Sequence, residues 1–243
     1  MIHRIRGTDA TRQERSDARG EWIAYWGVTC AVAAAVAAIV SQLLDFGVYG
    51  LRIRMFDMNT HASIFGVASL LALLASVIVA VLLAAATMRN RAAVSLPMLL
   101  TVLLVLRVIH PAHVILIAFP VVVLTFVILW WRAGGSQPPA PRLIHTGCAA
   151  LVCSYLVHGF GAGVSSRLAY GGDRWPHQIT LALMHSGELA GWAIVATGLI
   201  VAYLGGRERE APNPSGDRAE VAPYGGPPAS SWSRNLVNHR TGE

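Results

Sequence analysis

The chain has 243 residues, 54% of them hydrophobic and only 13% charged, with a formal net charge of +6. Soluble domains carry about 25% charged residues, so a water-soluble globule is excluded and lipid is the natural solvent. All 19 basic side chains are arginine, in the manner of a GC-rich bacterial genome, and they stand at the ends of apolar runs. There they orient membrane helices, and a nucleic-acid partner is set aside.

Residues 1–21 form a polar leader with Arg4, Arg6, Arg12, Arg15 and Arg19. No cleavable signal is legible in it, and Cys30 lacks the preceding apolar run that lipoprotein processing needs. The first helix is therefore expected to stay as an anchor. A membrane-crossing helix needs roughly 20 mostly apolar residues. Such runs occupy Trp22–Leu44, Ala62–Thr87, Ala92–Ile109, Ala112–Trp131, Leu143–Val164 and Gln178–Leu204. The predicted fold class is all-α, an integral membrane helical bundle with six transmembrane helices across residues 22–204. The third and fourth runs abut, but Arg107, His110 and Pro111 interrupt them. Proline removes a backbone donor and disfavours helix in the residue before it, so a tight hairpin is expected there, with four or five spans as the alternative without it.

Between the first two runs, Phe46, Val48, Leu51, Ile53, Met55 and Phe56 interleave with Arg52, Arg54 and Asp57. That pattern over Asp45–Thr60 predicts a segment lying at the outer membrane interface. Residues 205–243 are rich in Pro, Gly, Ser and charge, cannot bury enough apolar surface to order themselves, and are predicted to be a disordered cytoplasmic tail. Cys30, Cys148 and Cys153 lie in apolar stretches without CxxC spacing and read as small hydrophobes. Helices in lipid pack through small residues. Ala31, Ala33, Ala34, Ala35, Ala37 and Ala38 in the first helix, Gly159, Gly161 and Gly163 in the fifth, and the Gly187/Gly191 pair in the sixth therefore predict a compact bundle, with a homo-oligomer or another membrane partner also open.

Orientation follows from the arginines. With six spans, the leader, Arg89, Arg91, Arg132, Arg142 and the arginines of the tail share one side. Only Arg52, Arg54, Arg107, Arg167 and Arg174 fall on the other. By the positive-inside rule both termini are cytoplasmic and the protein is a multi-pass protein of the inner, plasma membrane.

A charge at mid-bilayer costs about 2.5–3.5 kcal/mol even on the lenient insertion scale, so ionisable residues within spans are the informative ones. The predicted topology maps Asp57, His61, Arg107, His110, His113, His158, His185 and Glu188 to the extracytoplasmic half, leaving His145 at the cytoplasmic edge. His185 and Glu188, three apart, share a helix face. Several chemistries fit this cluster. Glu188 paired with Arg107 or a histidine could simply hold helices together. The HxxH of His110 and His113 and the HxxE of His185 and Glu188, with His158, offer nitrogen and carboxylate ligands for zinc. His61 and His185, each followed by small residues, offer axial ligands to a b-type haem. Glu188 and the histidines could equally line a path for protons or a small solute. No CxxCH, GxGxxG, P-loop, GxSxG, HExxH or solenoid repeat is present.

The stretch Phe56-Asp57-Met58-Asn59-Thr60-His61-Ala62-Ser63-Ile64 resembles the Phe-Asp-Leu-Asp/Asn segment that leads into the second helix of an uncharacterised family of bacterial polytopic membrane proteins. The Arg107–His110 region is similar in placement to that family's Ser-Leu-Asp-Glu…Ile-His-Glu stretch, and His185–Gly191 to its Glu-Glu-Gly-Leu-Glu run. Here His61 stands where the family tends to have Glu, the Asp-Glu pair before His110 is missing, and Glu188 alone is kept from the acidic run. The resemblance implies a bundle of about six helices and no mechanism. The reading that follows is a membrane protein, accessory in role or handling protons or a small solute, with a His/Arg/Glu pocket. A zinc- or b-haem-dependent membrane enzyme is the alternative.

Overall fold

The computed structural model describes residues 5–49, 53, 55–56, 63–86, 91–109, 112–132, 139–168 and 175–210. Within these, the side chains of residues 5–13, 15–16, 49, 91–94, 112–118, 132, 158, 161–168 and 208–210 are outside the description. The chain divides into Met1–Arg209, which holds the bundle, and Glu210–Glu243, of which only Glu210 is described.

The described residues are helical, with no strand among them: α1 (Ile5–Leu44), α2 (Ile64–Ala86), α3 (Arg91–Ile109), α4 (Ala112–Arg132), α5 (Ala140–Leu168) and α6 (Trp175–Glu210). A π-helical turn, Asp45–Tyr49, continues α1. Four helices are long and apolar enough to cross a membrane, over Asp17–Val48, Ile64–Ala86, Ala140–Val157 and Trp175–Arg207. Ser95–Ile109 and Phe119–Trp131 are shorter apolar stretches of α3 and α4.

The expected runs and the observed helices agree closely in their membrane parts and differ at the ends. α1 starts at Ile5, within the polar leader, because its Arg, Gln, Glu and Ala residues are good helix formers and extend an existing helix without a new nucleus. α6 likewise runs on to Glu210, beyond the expected end at Leu204, and a Cβ on Gly205 or Gly206 would meet open space. Residues 211–243 of the expected tail lie outside the described residues. α2 begins two residues later than expected, where buried Ser63 caps it by accepting a hydrogen bond from the Gly66 N–H at 3.1 Å.

Each helix turns one stripe inward. On α1 the buried stripe is Ala24, Ala31, Ala38 and Asp45, on α3 Leu96, Leu100 and Leu103, and on α4 Phe119, Val123, Phe126 and Trp130. These are the three- and four-residue steps, or sums of them, that keep side chains on one helix face. α2 packs on α3, α3 on α4, α4 on α5, and α1 touches α5. α3 ends at Ile109, α4 begins at Ala112 and the two helices pack together, while the turn expected at His110 and Pro111 lies outside the described residues.

α6 is the most enclosed span: 56% of its apolar window is buried, against 11% for α1. Glycines make that enclosure possible. A Cβ on Gly191 would lie 2.6 Å from Leu151 Cγ, one on Gly187 2.7 Å from Ser154 Cβ, and one on Gly198 2.7 Å from Ile144 Cγ1. From the facing helix, a Cβ on Gly147 would lie 2.8 Å from the Gly191 carbonyl oxygen and 2.9 Å from the Val195 nitrogen. On α1, a Cβ on Gly27 would run into Thr197. The Gly187/Gly191 pair thus serves α5–α6 packing, the use expected of small residues. On α5, Gly147 faces Gly191 and Ser154 faces Gly187.

Candidate functional site

Arg107 follows Leu96, Leu100 and Leu103 on the buried stripe of α3, so the helix itself carries the guanidinium inward. Glu188 sits on the buried stripe of α6 with Leu181, Trp192, Val195 and Leu199. The two meet as a fork. Arg107 Nε donates to Glu188 Oε1 at 2.8 Å, and Arg107 Nη2 donates to Oε2 at 3.2 Å. The Glu188 side chain is 1% exposed and that of Arg107 18%. Both carboxylate oxygens therefore face the one cation in the bidentate geometry that suits guanidinium and carboxylate best.

His185 lies one turn before Glu188, with Nδ1 3.8 Å from Oε2, an ion-pair distance if the imidazole is protonated. Tyr155 of α5 is buried. Its ring stacks on Phe119 of α4 at 3.9 Å, and Phe119 meets Trp192 edge-on at 6.1 Å. Four helices, α3 to α6, thus contribute to one centre. Trp192 stands one turn after Glu188 on α6, and this aromatic cluster keeps the local dielectric low on that side of the pair.

Along α6, Glu188 is 13 residues from Trp175 and 15 from Tyr203, about 20 and 22 Å at the α-helical rise. Those aromatic residues mark the two ends of the helix's apolar part. Trp175 packs edge-on against Phe46 at 4.7 Å, and Arg207 lies 5.7 Å over the Tyr203 ring. Glu188 is therefore midway along the apolar part of α6, while Arg107 stands two residues before the end of α3.

Of the candidate residues, Arg107, His185 and Glu188 come together. Asp57, His61 and His110 lie outside the described residues, as do the side chains of His113 on α4 and His158 on α5. Of the zinc-type set His110, His113, His158, His185 and Glu188, only the side chains of the last two are described, and Arg107 occupies both oxygens of Glu188. Among the described residues no group of three His, Cys, Asp or Glu side chains is placed to hold a metal ion. Of the b-haem pair, His61 falls outside the description.

Tyr155, Phe119 and Trp192 were not singled out by the sequence. The available signal was spacing, since Cys148, Leu151 and Tyr155 continue one buried stripe of α5. A second polar contact also escaped it. Gln42 Nε2 of α1 donates to Gln178 Oε1 of α6 at 2.7 Å, fully buried. Asp45, assigned from sequence to an interfacial segment, is 1% exposed. Comparison with protein-family models, curated proteins and solved structures finds no match, so no residue role is carried in from a relative.

Proposed function

We propose that the protein is a six-span membrane protein with both termini cytoplasmic, and that the Arg107–Glu188–His185 centre is a proton-responsive element within it. α3 and α4 serve as the third and fourth spans in this topology. The observation that carries the proposal is the desolvated bidentate pair on Glu188, midway along the apolar part of α6, with an imidazole 3.8 Å from the same carboxylate. Replacing a buried ion pair by apolar residues of similar volume is often neutral or stabilising, so packing alone gives little reason to keep this one. Ionisable groups at that depth are functional by default.

The chemistry follows from competition. With His185 neutral, Glu188 has one cationic partner and α3 is held to α6. A proton on Nδ1 makes imidazolium a second cation beside Oε2, weakening the claim of Arg107 on that oxygen. An imidazole nitrogen can both accept and release a proton, so one side chain provides both states. Proton binding at His185 then biases α3 away from α6, the two-position element that handling of protons or a small solute requires.

The test is proton movement in proteoliposomes loaded with a pH-sensitive dye under an imposed pH gradient. Wild-type protein is expected to dissipate the gradient faster than empty liposomes, with Glu188→Gln and His185→Gln both returning to the background rate. Wild-type flux at the background rate, or flux unchanged in both variants, would refute the proposal.

A further inference from the structure

α3 and α4 share a feature that the ion pair does not use. Each carries a proline in its interior, Pro97 in α3 and Pro120 in α4. α1 and α2 have none, and Pro141 of α5 and Pro176 of α6 stand in the first turn, where no helical hydrogen bond is lost. An interior proline offers no N–H to the carbonyl four residues earlier, so Ala93 and Leu116 lose their helical donors. Sharp bends in helices fall at such positions.

A second loosening contact lies just past each proline. Thr101 Oγ1 donates to the Pro97 carbonyl and Thr125 Oγ1 to the Val121 carbonyl, both at 2.7 Å. A hydroxyl that returns to the backbone in this way competes with the helical bond and bends the helix.

The two weak points delimit one part of the bundle, the end of α3 and the start of α4. It contains Arg107, bound to Glu188 of α6 at 2.8 Å. Arg107 is ten residues past Pro97, about 15 Å along the helix. A change of bend of about 20° at Pro97 therefore moves it by about 5 Å, enough to break that contact. Phe119 adjoins Pro120 at the pivot itself, so its stack on Tyr155 at 3.9 Å holds the pivot in place.

We infer that the segment from Pro97 to Pro120 is a hinged arm that pivots at its two prolines and is latched by the Arg107–Glu188 pair. The inference rests on the proton-responsive reading for its trigger and names the part that moves when Arg107 lets go. α3 can then leave α6 at Arg107 while Leu96, Val123, Phe126 and Trp130, outside the arm, keep their buried positions.

Pulsed electron-spin distance measurements on the full-length protein in lipid nanodiscs test this. Spin labels replace exposed Val108, inside the arm, and exposed Leu183 of α6, with Cys30, Cys148 and Cys153 changed to alanine. A reference pair sits at exposed Leu82 of α2 and Ile128 of α4, both outside the arm. Glu188→Gln is expected to add a population about 5–6 Å longer between Val108 and Leu183 and to leave the reference pair unchanged. Arg107→Gln, which cuts the latch from the other side, is expected to do the same. Adding Pro97→Ala/Pro120→Ala is expected to remove the longer population. The inference is overturned by its absence from both latch variants, by its persistence with both prolines replaced, or by an equal shift of the reference pair. The trigger is read separately, from the wild-type distance against pH. A distance that ignores pH, with the latch variants opening as expected, refutes protonation as the trigger and supports the hinge.

Discussion

Arg107 and Glu188 present the usual ambiguity of a buried pair, which is weak as a source of net stability and strong as a liability once half of it is removed. Glu188→Gln leaves the guanidinium facing a neutral amide. It is expected to cost about 3 kcal/mol, the low end for breaking such a pair, because Arg107 keeps 18% of its side chain exposed. The double variant Arg107→Met/Glu188→Leu removes both charges and should unfold within about 1 kcal/mol of wild type. Reversible unfolding in mixed micelles measures both values, and the cycle gives their coupling. The double variant also separates two roles. A pair that only latches helices leaves proton flux unchanged when it is replaced by apolar packing, whereas the proposed centre loses it. His185 and Glu188 were legible as a pair because three-residue spacing on a helix is unambiguous. The choice of Arg107 over a histidine as partner was not, since it depends on how α3 is rotated against α6.

At the scale of helices, α5 and α6 are held together by backbone approach. Gly147 faces main-chain atoms of α6, the Gly191 oxygen at 2.8 Å and the Val195 nitrogen at 2.9 Å from a built Cβ. Backbone cannot rotate aside as a side chain can, so Gly147→Ala is expected to destabilise by about 1–3 kcal/mol through overpacking. Gly205→Ala meets nothing within 4 Å and should instead gain about 0.5–1 kcal/mol from helix propensity. Opposite shifts of Tm for two identical substitutions are the readout. The Gly187/Gly191 spacing announced a packing face from sequence. Gly147 did not stand out, because one small residue among apolar ones has no pattern until a second helix is laid against it.

For the molecule as a whole, composition and run length are those of membrane helices, and four described helices are long and apolar enough to cross a membrane. The proposed topology of six spans with cytoplasmic termini predicts that a reporter requiring the cytoplasm is active when fused after Arg132 and after Glu243, and silent after Gly171. Activity at Gly171, or loss of it at Glu243, overturns the topology.

Helix positions, the α3–α4 break and the inward stripes are properties the sequence by itself determined. They depend on hydrophobic run length, proline and helical periodicity, all of which are local. Which stripe meets which was decided only by the tertiary structure. Rotation and register between helices arise from close contacts such as Gly27 with Thr197 and Gly191 with Leu151, which join residues far apart in the chain. The same packing turned Asp45 from an interfacial residue into a buried acid, and joined Arg107 to Glu188 across 81 positions of sequence.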